Sequence, residues 1–182
     1  KKGDFILGRE LEEFEINFAN YCGTKYAIGL NSGSDALRFS LLSLGIGKND
    51  EVIIPGNSFI ATACSVANVG AKIVFADVND DLNIDLNHVK SLISKKTKAI
   101  IPVHLTGRIA NMDQTLEIKK KYNLKIIEDA AQSIGATYKN KKSGSFGVTG
   151  CFSLHPLKNL HVHGDGGVIT TDNEDLYNRV LK

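Results

Sequence analysis

Along most of the chain, short uninterrupted aliphatic runs alternate with stretches whose apolar positions recur every three or four residues. The runs YAIGL (26–30), EVIIP (51–55), KIVFADV (72–78), KAIIPVHL (98–105) and KIIEDA (125–130) predict strands. Within them IIP, IVF, AIIPV and KII lack polar alternation, as parallel strands covered on both faces do. DALRFSLLSLGI (35–46), IATACSVANVG (60–70, closed by Gly70), LNHVKSLISKKT (86–97) and DQTLEIKKKYN (113–123) carry helical spacing. GCFSLH (150–155) predicts another strand, DLYNRVLK (175–182) lies inside a helix, and ELEEFEINFANYCG (10–23) reads as an amphipathic helix outside the sheet. Strands alternating with helices of about ten residues imply βαβ units. The expected fold is therefore α/β: a mostly parallel sheet flanked by helices on both faces, with residues 1–25 a helical approach and 26–182 the sheet domain.

Composition narrows the partners. A chain of 182 residues that is 42% hydrophobic and 23% charged is ordinary for a soluble globular domain with a core of its own. Its net charge of +2 comes with no basic stripe, which argues against nucleic acid as a partner. The runs Lys95–Lys98 and Lys119–Lys121 fall at the ends of expected helices, where cations suit the macrodipole. Cys22, Cys64 and Cys151 have no CxxC spacing and read as reduced, mostly buried thiols of a cytoplasmic protein. No apolar run approaches the roughly 20 residues of a membrane span, and no signal peptide is recognisable. The chain opens without Met and stops inside an expected helix, which suits a piece of something longer.

In open α/β sheets ligands bind beyond the carboxyl ends of the strands, so the strand exits carry the candidate chemistry. NSGSDAL (31–37) leads a glycine and two hydroxyls straight into a helix, either as a phosphate cradle or as an ordinary helix cap by Ser32, Ser34 or Asp35. It is neither a Walker loop nor a dinucleotide fingerprint. Asp129 ends a strongly apolar strand, where a carboxylate needs a partner: a cation, a protonated ring nitrogen, or a structural cap. Gln132 follows three residues on. Beyond GCFSLH stand Ser153 and Lys158, the latter either a solvated cation or a reactive amine. His155, His161 and His163 with Cys151 match no zinc spacing, so no metal is expected. A phosphate cradle, a buried carboxylate and an amine after a strand are together the fixtures that pyridoxal phosphate needs.

Five stretches, NSGSDAL, DEVIIPGNSFIATACSVANVGAKIVFADV, AIIPVHLTGRIANMD, KIIEDAAQSIGATYKNKKSGSFGVTGCFSLHPLKNL and GDGGVITTDNEDL, occur in that order over nearly the whole chain. With them the sequence resembles the DegT/DnrJ/StrS family of pyridoxal-phosphate sugar aminotransferases, which share the fold-type I architecture of aspartate aminotransferase. The resemblance implies that Lys158 forms the Schiff base, Asp129 partners the pyridine nitrogen and Gln132 lies near the ring hydroxyl. It places Ser34, Asp35 (through its backbone N–H) and Ser153 at the phosphate, and Phe59 on the face of the ring. From the residues alone, Phe59 is a core aromatic. The implied reaction moves an amino group, usually from glutamate, to a nucleotide-linked keto-sugar in a homodimer. Lysine at position 158 favours transamination over the dehydration run by a branch with histidine there. PLKN stands where the family has PTKN, and His161 and His163 stand where small residues or Thr are common. Family chains are about twice this long, so residues 26–182 are expected to be the cofactor-binding large domain without its small C-terminal domain. The competing readings are a lyase or dehydratase of the same fold, and a non-catalytic cofactor-binding module.

Overall fold

A computed structural model describes residues 6–182; residues 1–5 of the expected N-terminal segment lie outside the described residues. Helix α1 (Arg9–Cys22) leads into β1 (Tyr26–Leu30), α2 (Gly33–Ser43), β2 (Glu51–Pro55), α3 (Ile60–Asn68) and β3 (Lys72–Ala76). Next come α4 (Leu86–Leu92), β4 (Thr97–Ile100), α5 (Met112–Tyr122), β5 (Lys125–Asp129), the small ribbon β6 (Thr137–Tyr138) and β7 (Lys141–Lys142), β8 (Thr149–Ser153), β9 (Gly167–Thr171) and α6 (Glu174–Val180). The main sheet has seven strands in the order β1-β9-β8-β5-β4-β2-β3. The β2/β3, β2/β4, β4/β5 and β5/β8 pairings are parallel, whereas β9 runs antiparallel to both β1 and β8. The expected α/β architecture is therefore the observed one, with one reversed strand inserted.

Strand alternation divides the core into two faces. Along β2, Val52 and Ile54 join a cluster with Leu37 and Leu41 of α2 and Val66 of α3, while Ile53 joins Leu86 and Val89 of α4 and Ile118 of α5. β5 splits the same way: Ile127 faces α2 and α3, and Ile126 faces α5. Consequently the adjacent carboxylates Glu128 and Asp129 point to opposite sides of the sheet. Helix α1 packs outside, as its pattern suggested, placing Phe18, Ala19 and Cys22 against Ala27, Phe152 and Val168.

Several expected elements end early, two of them well short. The helix expected over 86–97 stops at Leu92 because Ser94 and Thr97 divert the backbone: Thr97 Oγ1 accepts from the Ser94 N–H at 2.9 Å, and Ser94 Oγ accepts from the Lys96 N–H at 3.0 Å. The strand expected over 98–105 spans only Thr97–Ile100, and Pro102 then supplies a carbonyl to the Asp129 N–H at 2.9 Å but has no donor to extend the ladder. Cys22 and Cys151 are buried, and burial pushes both thiols up to about 12, so they stay protonated; Cys64 departs from expectation in being exposed.

Candidate active site

The carboxyl ends of β1, β2, β5 and β8 converge on a cavity of about 300 Å³. Its lining includes Ser34, Phe59, Asp129, Gln132, Ser153 and Lys158, six positions singled out from the sequence, together with Thr62. Asp35 is not among them.

The cradle end is built on the start of α2. Ser32 is the N-cap, its Oγ accepting the Asp35 N–H at 3.1 Å, and the Asp35 carboxylate turns away to Arg38 at 2.8 Å. The amide expected to meet a phosphate through Asp35 is thus already engaged by the cap. Ser32, Gly33 and Ser34 remain at the cavity, where the first N–H groups of a helix favour an anion. The Ser34 carbonyl lies 3.1 Å from the hydroxyl of Ser65 in the middle of α3, which shares its proton with the Ala61 carbonyl at 2.7 Å.

Close backbone approach fixes this end. A Cβ on Gly33 would lie 2.7 Å from the Ser153 Cβ, and one on Gly167 would overlap the Ser32 carbonyl and the Gly33 nitrogen. The overlapped atoms at Gly167 are backbone, so no rotamer change relieves them. Gly167→Ala is expected to cost about 2–3 kcal/mol by overpacking, which lowers the melting temperature in a thermal unfolding scan by about 5–10 °C. An unchanged melting temperature would mean that the start of α2 is not held by this contact.

At the deep end Asp129 is 6% exposed. Its Oδ2 accepts from the Thr62 hydroxyl at 2.8 Å and its Oδ1 from the Ala131 N–H at 3.2 Å. Burial pushes its carboxyl above the ordinary aspartate range, and the bonds from Thr62 and Ala131 oppose that push. A carboxylate offers about four lone-pair sites, and among the described residues only these two are taken, which leaves acceptor capacity toward the cavity. Gln132 shows one definite face: its Oε1 accepts the Thr106 N–H at 2.9 Å, so its amide N–H2 is the group left to offer. Thr106 holds φ at +55°, an uncommon setting for a β-branched residue, at the turn over Leu105–Gly107 that follows β4.

The rim carries the amine and the aromatic. Lys158 lies in the turn after β8, its N–H bonded to the His155 carbonyl at 2.8 Å, and among the described residues it makes no ion pair. Phe59 is the N-cap residue of α3 and is 69% exposed, so it is not the core aromatic that its residue type suggested. Instead it forms one wall of the cavity. Of the three rim histidines only His155 lines the cavity; its Nδ1 accepts the Leu157 N–H at 3.1 Å.

Sequence reading missed a buried dyad behind Asp129. Glu128 is fully buried and accepts four bonds: His104 Nε2–H at 2.9 Å and the Gly144 N–H at 2.8 Å on Oε2, and the Phe146 and Gly147 N–H groups at 2.7 and 2.6 Å on Oε1. His104 Nδ1 accepts the Ala110 N–H at 3.3 Å, which leaves the proton on Nε2. The main chain links this dyad to the site, because the His104 N–H donates to the Asp129 carbonyl at 3.0 Å.

Known proteins share this fold. The chain superposes on S. venezuelae DesV in complex with a ketimine intermediate with a TM-score of 0.96 at 42% identity, covering 98% of this chain and 48% of that one. For ntda from Bacillus subtilis with bound cofactor PMP the TM-score is 0.93 at 39% identity, covering 98% and 40%. The fold is that of fold-type I aminotransferases. The sequence profile of the DegT/DnrJ/EryC1/StrS aminotransferase family matches residues 1–182, and the chain belongs to that family. GDP-perosamine synthase of Caulobacter vibrioides is 48% identical over 172 residues, 93% of this chain and 46% of that protein. The chain spans about half the length of the curated relatives it matches. No helix among the described residues is long and apolar enough to cross a membrane.

Proposed function

We propose that this chain is the cofactor-binding portion, over residues 26–182, of a pyridoxal-phosphate-dependent aminotransferase that carries an amino group from an amino acid, glutamate, to a ketone of a nucleotide-linked sugar. The observation that carries the reading is the convergence, in one cavity, of a helix N-terminus, a buried carboxylate with spare acceptor capacity and a lysine that makes no ion pair among the described residues. These residues fit the cofactor. Its phosphate suits the N–H groups and hydroxyls of Gly33, Ser34 and Ser153, and its ring nitrogen suits Asp129, whose burial a cationic neighbour would offset. Its ring hydroxyl suits the free amide of Gln132, and its flat face suits Phe59.

When bound, the cofactor supplies an electron sink that stabilises negative charge at the donor Cα. Asp129, held anionic, keeps the ring nitrogen protonated so that the sink works. Lys158 would hold the cofactor's aldehyde through its Nζ and so stand beside the donor's Cα. Its amine would move the donor's Cα proton, acting as general base and then general acid. Across the whole cycle the donor becomes a 2-oxo acid and the sugar ketone becomes an amine. The GDP-sugar name of the relative and the PMP in the related structure support the substrate and cofactor classes. Phe59 and Leu157, 69% and 88% exposed at the mouth, support a covering surface from a second protomer, and we place the homodimer in the cytoplasm.

Addition of pyridoxal phosphate is expected to give a near-visible absorbance band, and borohydride followed by peptide mass mapping to leave the cofactor mass on Lys158. Label scattered over the surface lysines instead would remove Lys158 from its role.

A further inference from the structure

Thr62 is a buried threonine whose hydroxyl has, among the described residues, only Asp129 as a polar partner. Helical Ser and Thr hydroxyls commonly bond back to the carbonyl one turn earlier, and elsewhere in this chain they do: Ser65 donates to Ala61 O at 2.7 Å and Thr115 to Asn111 O at 2.8 Å. Thr62 sits in the first turn of α3, two residues after Ile60, and its hydroxyl instead crosses to β5, meeting Oδ2 at 2.8 Å. An O–H that donates to this oxygen favours the ionised carboxylate over the acid. It also fixes the carboxylate plane, since Oδ1 is held by the Ala131 N–H. The lone pairs left over are those facing the cavity.

We propose that Thr62 is a positioning residue that acts through Asp129: it holds the carboxylate anionic and aimed, and so sets the protonation of a ring nitrogen placed against it. The inference rests on reading the cavity as a pyridoxal-phosphate site. It adds a determinant contributed by α3, the helix that also carries Phe59 at its N-cap, so one helix start supplies both the wall for the ring and the control of its charge. Burial pushes Asp129 toward the neutral acid, and Thr62 is the strongest contact opposing that push.

The test uses the purified protein, Thr62→Val, which keeps the shape and removes the donor, and Thr62→Ser, which restores it. Each is loaded with pyridoxal phosphate carrying ¹⁵N in the ring, and the ring-nitrogen resonance and the cofactor dissociation constant are measured at one pH. T62V is expected to shift the resonance toward that of the unprotonated ring and to weaken cofactor binding about tenfold, the scale of one hydrogen bond to a charged group. T62S is expected to match the parent within about twofold in binding, the factor set by keeping that bond. A T62V resonance coincident with the parent's would overturn the proposal and leave Thr62 a packing residue. If T62V lacks the native fold by circular dichroism, Thr62→Ala carries the same expectation and the same overturning result. Failure of the parent itself to form a borohydride-fixable adduct on Lys158 is a separate outcome: it removes the cofactor reading, and this inference with it.

Discussion

Lys158→Ala is expected to abolish the near-visible band formed with pyridoxal phosphate and to lower turnover by roughly 10⁴-fold, the upper end of what a positioned acid–base group contributes. Among the described residues Lys158 is the only lysine lining the cavity, so none of their amines can take its place. The loss should fall on turnover far more than on cofactor retention, because the helix start at Gly33 and Ser34 and the Asp129 carboxylate do not depend on Lys158. Fold stability should barely change, since the side chain makes no ion pair among the described residues. Lys158→Arg separates charge from nucleophilicity: arginine keeps the cation but is always protonated and forms no tether. Substantial turnover by K158R would show that only the charge matters and would refute the assignment. Single-turnover assays with glutamate and a nucleotide-linked keto-sugar read both variants directly.

The strand exits were legible because each breaks the aliphatic pattern abruptly, with a Gly-Ser pair, a carboxylate or a lysine standing where a run of Ile and Val stops. The parallel strands were legible for the same reason. β9 was hidden because two of its five residues, Thr170 and Thr171, are polar yet buried. Their hydroxyls donate to the Gly144 carbonyl at 2.6 Å and the Val148 carbonyl at 2.8 Å, partners that only the folded chain supplies. Phe59 shows the opposite failure. Its type argued for the core, but its place at the N-cap of α3 leaves it in the rim. Which of Ser32, Ser34 and Asp35 caps α2 was equally undecidable from composition, and the choice of Ser32 is what occupies the Asp35 amide. Thr62 lies 67 residues from Asp129, and His104 lies 24 from Glu128. No local spacing rule reaches that far; the topology that sets β4 and α3 beside β5 does.

That topology makes Glu128, one residue from the site, the most expensive carboxylate to alter. Glu128→Ala would strand four donors, three of them in buried bonds, and breaking a buried charged network in this way costs about 3–5 kcal/mol. Glu128→Gln, nearly identical in shape, tests the donor count itself. Each carboxylate oxygen accepts two donors, so a glutamine N–H2 must face two N–H groups whichever way the amide turns. His104 cannot relieve this by moving its proton, because Nδ1–H would then confront the Ala110 N–H. We expect Glu128→Gln to lose about 2–3 kcal/mol, roughly one or two unsatisfied buried donors. The measurement is the urea midpoint, which should fall while its slope stays constant. A Glu128→Gln midpoint equal to the parent's would mean that these four donors find other partners and that the Glu128 contacts do not hold the fold. The loop it pins, Gly144–Gly147, feeds β8, which ends at Ser153 before the Lys158 turn. The two variants therefore separate the roles of neighbouring parts: Lys158→Ala should give a stable protein without chemistry, and Glu128→Gln a weakened fold whose chemistry survives wherever the fold does.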